Sequence, residues 1–173
     1  MTKQLVMNLP RGNHEEFTIH SGEMDHFLKV LHEVAQWCLD TGLNNWNLAE
    51  LTREKMLAGL TEEQFYVGKV AGDPAACMVL QWHDDLFWPE IPPGQSGFIH
   101  KLAVRRKYAG QGLSQELVTY AITECRKRKI GYLRLDTRAS REKLCRLYES
   151  MGFVRVGQRM VRGNEYALFE MKL

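Results

Sequence analysis

Long hydrophobic runs are missing from this sequence: no apolar stretch approaches the roughly 20 residues that a membrane-spanning helix needs. The opening Met1-Thr2-Lys3-Gln4 does not read as a secretory leader. A membrane partner is therefore not expected. Charge of one sign is also scarce, since the formal net charge is only +2, too little to make nucleic acid the main partner. The local run Arg126-Lys127-Arg128-Lys129 has two readings. It supplies cations for the negative end of a helix dipole, or it is a short basic patch whose DNA binding would fall steeply with salt. Cysteine is sparse: Cys38, Cys77, Cys125 and Cys145 stand far apart with no C-x-x-C spacing. They read as reduced, buried and inert thiols of a cytoplasmic protein. None of the serines lies in G-x-S-x-G, which disfavours a hydrolase of that type. His14, His20, His26, His32 and His83 lack zinc-binding spacing such as H-x-x-x-H, so no metal is expected. Repeats and low-complexity segments are absent as well.

What is there is a chain of 173 residues with 45% hydrophobic and 25% charged content, the makeup of a soluble globular protein of one domain spanning 1–173. Phe17-Thr18-Ile19-His20 reads as a first strand and Ser21 as an N-cap. A helix follows with Met24, Phe27, Leu28, Leu31, Val34, Ala35 and Cys38 on one face. Gly42 suggests its stop. A second helix is expected from about Leu48 to Ala58, then a strand over Phe65–Val70, a turn at Gly72-Asp73-Pro74 and a strand from Ala75 to Trp82. An aromatic and proline-rich connection, Asp84 to Gly97, leads into Phe98-Ile99-His100-Lys101-Leu102-Ala103-Val104.

The next segment, Arg105-Arg106-Lys107-Tyr108-Ala109-Gly110-Gln111-Gly112-Leu113-Ser114, has the form of a glycine turn opening a helix. Gly110 and Gly112 allow positive φ and close approach of a ligand. Their amides, with those of Leu113 and Ser114, are then free to face an anion. Alone, G-x-G fits an ordinary strand-to-helix turn equally well. The helix it opens carries Leu113, Leu117, Val118, Ala121, Ile122 and Cys125 as a stripe. Tyr132–Thr137 reads as a strand, and Leu144, Leu147, Tyr148 and Met151 as a helical stripe closed by Gly152. Phe153–Val156 starts a strand, and Arg162-Gly163-Asn164-Glu165 joins two final strands as a hairpin.

Leu102-Ala103-Val104, the Gly110-Gln111-Gly112 loop and Leu147-Tyr148-Glu149-Ser150-Met151-Gly152-Phe153 together resemble the GNAT superfamily of acyl-CoA-dependent N-acyltransferases. The likeness is close over the C-terminal half and rests on element order in the first half. It implies an α/β (α+β) fold: a mixed, mostly antiparallel sheet of six to seven strands flanked by about four helices. In the family's pyrophosphate loop, Arg or Gln is usual where Ala109 stands and Gly or Ala where Ser114 stands; Arg105, Arg106 and Lys107 are adjacent. Arg141, seven residues before Tyr148, replaces the family's frequent asparagine and is a candidate for a cofactor phosphate.

The resemblance implies transfer of an acetyl group from acetyl-CoA to a primary amine by direct attack in a ternary complex. Leu102, Ala103 and Val104 would present backbone groups to the pantetheine arm. Ala109, Gly110, Gln111, Gly112, Leu113 and Ser114 would hold the pyrophosphate, and the Leu102 N–H would meet the oxyanion. By the strand's period of two, Phe98 and His100 share a face with Leu102 and Val104. His100, with an imidazole that titrates near neutrality, is either the general base or a packed sheet histidine. Tyr148 stands where the family places the acid for the CoA sulfur; the bland alternative is a core tyrosine. Trp46, Trp82 and Trp88, with Phe87, form an aromatic wall for the acceptor or simply pack, and Asp84, Asp85 or Glu90 would attract its cationic amine. The acceptor class is a small-molecule amine or a peptide or protein amine, and the protein is expected as a monomer or homodimer. The rival reading is a non-catalytic acyl-CoA-binding regulatory module of the same fold.

Overall fold

The computed structural model describes residues 4–9, 16–43 and 45–173, the first of these segments as backbone only. Met1, Thr2, Lys3 and His14 lie outside the described residues. The eight strands follow the order β1-β2-β3-β4-β5-β6-β8-β7 and are mostly antiparallel, with β5 and β6 parallel. The α+β architecture and mixed sheet are those expected, with one strand more than six or seven. The addition is β1 (Gln4–Leu9), paired with β2 (Phe17–Ser21). The alternation Leu5, Met7, Leu9 is the sequence signal that finds it. No helix among the described residues is long and apolar enough to cross a membrane.

The chain forms two compact units interleaved in sequence. The first takes Met1–Val79 and Lys101–Leu117, the second Leu80–His100 and Val118–Leu173. In the first, helix α1 (Met24–Asp40) buries Met24, Phe27, Val30, Leu31, Val34, Ala35 and Cys38, the stripe that a 3.6-residue period sets. Leu28 is only partly buried against this core, and Val30 takes the buried place. The face packs with Phe65, Val67, Cys77 and Val79 of β3 (Phe65–Val70) and β4 (Asp73–Gln81). Phe27 and Phe65 meet edge to face at 5.0 Å. Each such fully buried side chain contributes about 1.5–3 kcal/mol.

Three local expectations are corrected in this unit. Ser21 pairs with Tyr66 as the last residue of β2, so the N-cap of α1 is Glu23, which makes no side-chain cap bond. Its carboxylate instead meets Lys69 Nζ at 2.6 Å and His26 Nδ1 at 2.7 Å. The helix expected over 48–58 is a 3₁₀ turn (Leu48–Glu50) followed by the short α2 (Arg53–Met56). Buried Leu51 separates them, and the Thr52 hydroxyl accepts from Lys55 N to start the second. The β3–β4 turn is Ala71-Gly72, both at positive φ (46° and 81°), and Val70 pairs directly with Asp73. A two-residue turn of this hand follows the sheet's own twist, so Asp73 and Pro74 are already strand.

Arg105 ties this unit to the start of the glycine loop. It donates from Nε to Glu33 at 2.8 Å and from Nη1 to Asp73 at 3.0 Å and to the Pro74 carbonyl at 2.7 Å. Asp73 also accepts from Tyr108 Oη at 2.6 Å and meets Lys107 Nζ at 2.6 Å. Lys107 and Tyr108 hold the Asp73 carboxyl well below its usual range against the opposing effect of burial, with the Arg105 and Lys107 charges helping. Such a depressed acid contributes stability above its unfolded pKa and loses it as pH falls. Arg105→Ala leaves the largely buried Pro74 carbonyl and both acids short of a donor. Because Glu33 and Asp73 are part-exposed, the expected cost is about 2 kcal/mol rather than the larger loss of a fully buried pair. Chemical denaturation at neutral pH measures it.

In the second unit, β6 (Tyr132–Arg138) pairs in parallel with Gly97–Ile99 of β5 (Gly97–Val104) and antiparallel with β8 (Asn164–Lys172). Strand β7 (Val154–Val161) joins β8 through Arg162-Gly163, again two residues at positive φ. Trp88, Phe98 and Leu168 form a core patch with Phe87 and Ile91 against it. Gly97 is required by packing, since a Cβ there would lie 2.5 Å from Cys125 Sγ of helix α3 (Leu113–Lys127). Helix α4 (Glu142–Ser150) buries Cys145 and Tyr148, whereas Leu147, expected inside, is 39% exposed.

Candidate active site

Strand β5 is not a regular strand throughout. Lys101 has φ 53°, a conformation that costs a non-glycine residue about 1–2 kcal/mol. This interrupts the pleat, so the period of two that would put Phe98 and His100 on one face with Leu102 and Val104 does not run across Lys101. Its carbonyl accepts from Cys77 Sγ at 3.6 Å, and its Nζ lies 5.5 Å from the ring centroid of Trp46.

Within the first unit, Leu102 and Val104 are half-buried and Ala103 is buried in the α1 core. Ala109, Gly110, Gln111 and Gly112 are exposed, Ser114 is half-buried and Leu113 is buried. Gly110 and Gly112 have φ 75° and 77°, and a Cβ on either would meet nothing within 4 Å. The glycines thus serve the backbone conformation and leave open space in front of it. The Gly112 carbonyl accepts the Glu116 N–H at 3.1 Å, so Gly112 stands at the threshold of α3. The first N–H groups of that helix have no intrahelical acceptor. An exposed glycine turn at the positive end of a 15-residue helix suits an anion such as a diphosphate. Two of the neighbouring basic residues are paired with acids, and the third keeps its charge on an aromatic face. Arg105 and Lys107 are engaged with Glu33 and Asp73, and Arg106 stacks 4.1 Å over Trp37. Trp46 is partly buried against the first core.

Within the second unit, His100 stands in a cluster with Asp84 and Asp136, one ligand-type atom of each lying within 4.8 Å of the others. Its Nε2 is 2.9 Å from Asp84 Oδ2, and its Nδ1 is 3.6 Å from Asp136 Oδ1. Asp136 follows Leu135 in β6 as His100 follows Ile99, and Ile99 and Leu135 are the last pair of the parallel ladder. Parallel register therefore brings the two together, and no spacing within the sequence announces it. From the sequence, Asp84 is expected to attract a cationic amine, or to be one of the acids among which the base is sought if His100 is structural; its pairing with His100 is what the fold adds. Burial acts to raise its carboxyl, but the hydrogen bond and charge of His100, with the Phe87 and Leu86 amides, hold it below the ordinary value.

Tyr148 is 5% exposed, with its ring against Phe153 and Phe169 at 6.2 and 5.9 Å. Burial, and after it the Asp136 charge, push its phenol far up, while Arg141 acts the other way. The hydroxyl is thus fully protonated at any working pH. Arg141 is the N-cap residue of α4, and its buried Nη1 has no hydrogen-bond partner among the described residues. Arg138 Nε is in the same condition. These orphaned guanidinium donors suit an acceptor group or an anion brought by a ligand.

The aromatic connection packs largely inward. Trp88 is 4% exposed in its core patch, and Trp82 carries the Arg128 guanidinium 4.3 Å over its ring. Phe87 stands between His100, at 6.0 Å, and Tyr166, at 4.9 Å. Glu90 receives Arg159 at 2.9 and 3.0 Å, and Asp85 meets His83 at 2.7 Å. All four cysteines are free and buried, with burial raising the thiols of Cys77, Cys125 and Cys145, that of Cys125 to about 11.

Residues 31–153 match the model of the acetyltransferase (GNAT) family. The chain is 28% identical over 151 residues to the uncharacterized N-acetyltransferase YesJ of Bacillus subtilis (strain 168), covering 83% of this chain and 82% of that protein. Its fold is similar to the crystal structure of a GNAT-family acetyltransferase from Listeria monocytogenes 4b F2365, at TM-score 0.73 and 20% identity, over 96% of this chain and all of the other. A GNAT acetyltransferase from Elizabethkingia anophelis crystallised with acetyl-CoA bound is similar over 63% of this chain and 75% of its own, at TM-score 0.50 and 20% identity.

Proposed function

The chain belongs to the acetyltransferase (GNAT) family, and we propose that it transfers an acetyl group from acetyl-CoA to a primary amine by direct attack within a ternary complex. The observation that carries this reading is the exposed Gly110-Gln111-Gly112 turn at the start of α3, with both glycines at positive φ and open space where a Cβ would stand. Acetyl-CoA supplies the activated acyl group as a thioester. The Elizabethkingia homologue solved with acetyl-CoA supports that choice of co-substrate.

In this reading Ala109 through Ser114 bind the pyrophosphate through backbone N–H groups, and Arg141 supplies a donor to the same ligand. Leu102, Ala103 and Val104 align the pantetheine arm by strand-like backbone pairing. His100 takes a proton from the arriving ammonium, directly or through water, so that the nitrogen lone pair can form the new C–N bond. The Leu102 N–H stabilises the oxyanion. As the C–S bond breaks, the attacking nitrogen loses its second proton, which passes to the departing sulfur so that it leaves as free thiol, and Tyr148 donates a hydrogen bond to that sulfur. Trp46, Trp82 and Trp88 shape the ground on which the acceptor is recognised. The free cysteines suit a cytoplasmic setting.

The test is a panel of acceptors, small amines, amino acids and peptides with free N-termini or lysines, incubated with acetyl-CoA while free thiol is measured. Thiol release that depends on one acceptor class, with the acetylated amine seen by mass spectrometry, supports the reading. Tight acetyl-CoA binding with no acceptor-dependent release across the panel would favour the non-catalytic module.

A further inference from the structure

Asp84 divides its two oxygens between two tasks. Oδ1 accepts from the backbone N–H groups of Leu86 and Phe87, each at 3.0 Å, and the Asp84 carbonyl accepts from Trp88 N at 3.1 Å. These bonds fix the 84–88 turn as an Asx-type turn. Oδ2 is turned to His100 Nε2 at 2.9 Å, with the two side chains 4% and 18% exposed. The other groups about the ring are Asp136 Oδ1 from β6, Phe87 from the same turn, and the Tyr166 ring from β8 behind Phe87. Beyond Asp136 lie Tyr148 and Arg141 of α4, which share its field.

We propose that Asp84 is a positioning residue, which holds the His100 ring by Nε2 and sets the pH at which that ring is ready to accept a proton. An ionised carboxylate accepts only, so the nitrogen facing it carries the hydrogen. Oδ2 lies 2.9 Å from Nε2, whereas Asp136 Oδ1 lies 3.6 Å from Nδ1, so the nearer carboxylate favours the ring's proton at Nε2. The backbone bonds to Oδ1 keep the carboxylate from rotating away. The inference rests on the reading of His100 as the base, yet it makes a claim about the ring that needs no turnover.

Asp84→Asn separates the two tasks, because its side-chain carbonyl still accepts from Leu86 and Phe87 while its NH₂ meets His100 where a charge stood. The variant should melt near the parent temperature and keep its KM for acetyl-CoA. Nitrogen-15 NMR of neutral His100 should show the Nε2–H tautomer in the parent and a shift toward Nδ1–H in the variant. The His100 titration should fall, since an anion next to an imidazole favours its charged form. With an acceptor from the panel, the ascending limb of kcat/KM should move down by the same amount. kcat should drop roughly tenfold or more from the wrong tautomer.

An Nδ1–H tautomer in the parent, or an unmoved titration in the variant, would overturn the role of Asp84. Should Asp84→Asn unfold, the parent's tautomer alone decides. His100→Gln tests the underlying reading separately: it should remove the limb. A limb that survives there beside NMR changes as expected rejects His100 as base while leaving Asp84 as the holder of the ring.

Discussion

Gly112→Asp should abolish acetyl-CoA binding and leave the fold standing. Position 112 has φ 77°, and a Cβ there meets nothing within 4 Å, so the substitution meets no clash. Aspartate tolerates the left-handed region better than most residues, and the strain is of the order of 1 kcal/mol. The carboxylate, however, would sit at the mouth of the amide loop that opens α3, against two or more phosphate charges, and it would take the loop's N–H groups for itself. In the parent, acetyl-CoA at one hundred times Kd raises stability by about 2.7 kcal/mol, which for a chain of this size corresponds to roughly 5–10 °C in Tm. The variant's melting temperature should not move with added acetyl-CoA. Calorimetric titration giving the same Kd for variant and parent would show that the pyrophosphate lies elsewhere. Arg105 and Lys107 are already paired with acids of the first unit, whereas Arg106 keeps its charge while stacked on Trp37.

Those engaged cations mark where sequence reading reaches its limit. The α1 stripe, the Arg162-Gly163 hairpin and the glycine turn before α3 were legible because each is a local pattern, decided by residues within one or two turns of one another. The turn expected at Gly72-Asp73-Pro74 lies at Ala71-Gly72 because proline suggests a turn more strongly than Ala71, a residue that adopts positive φ here only under the demand of the hairpin. Arg105 looked available beside the loop until Glu33, 72 residues earlier, was found on it. His100 and Tyr148 could be named from motifs, but Asp136 could not. Its place depends on the parallel register of β5 and β6, a non-local fact. The positive φ of Lys101 has the same character: nothing in Phe98-Ile99-His100-Lys101-Leu102 signals that the alternation stops. The motif names His100 and Tyr148, and the fold adds the pairing of His100 with Asp84 and Asp136.

Asp136 also bears on the second large effect, the loss expected from Tyr148→Phe. The phenol is buried, and both burial and the Asp136 charge disfavour phenolate. Full transfer of its proton to a thiolate of ordinary pKa near ~8.5 is therefore uphill. Tyr148 should act by hydrogen bonding to the sulfur as negative charge builds there, a contribution at the lower end of the range for acid catalysis, about 10²-fold in kcat. Removing the hydroxyl leaves the ring contacts with Phe153 and Phe169 in place, so stability and acetyl-CoA affinity should hold. Acyl donors with better leaving groups need the hydrogen bond less, so the deficit should shrink as the leaving thiol becomes more acidic. Because the parent phenol never ionises in the working range, the defect should not vary with pH, unlike that of His100→Gln. Steady-state kinetics with a series of thioesters measures both trends. An unchanged kcat at saturating substrates would make Tyr148 a core residue. A deficit equal for every leaving group would assign its hydroxyl to binding or orientation instead of to the breaking C–S bond.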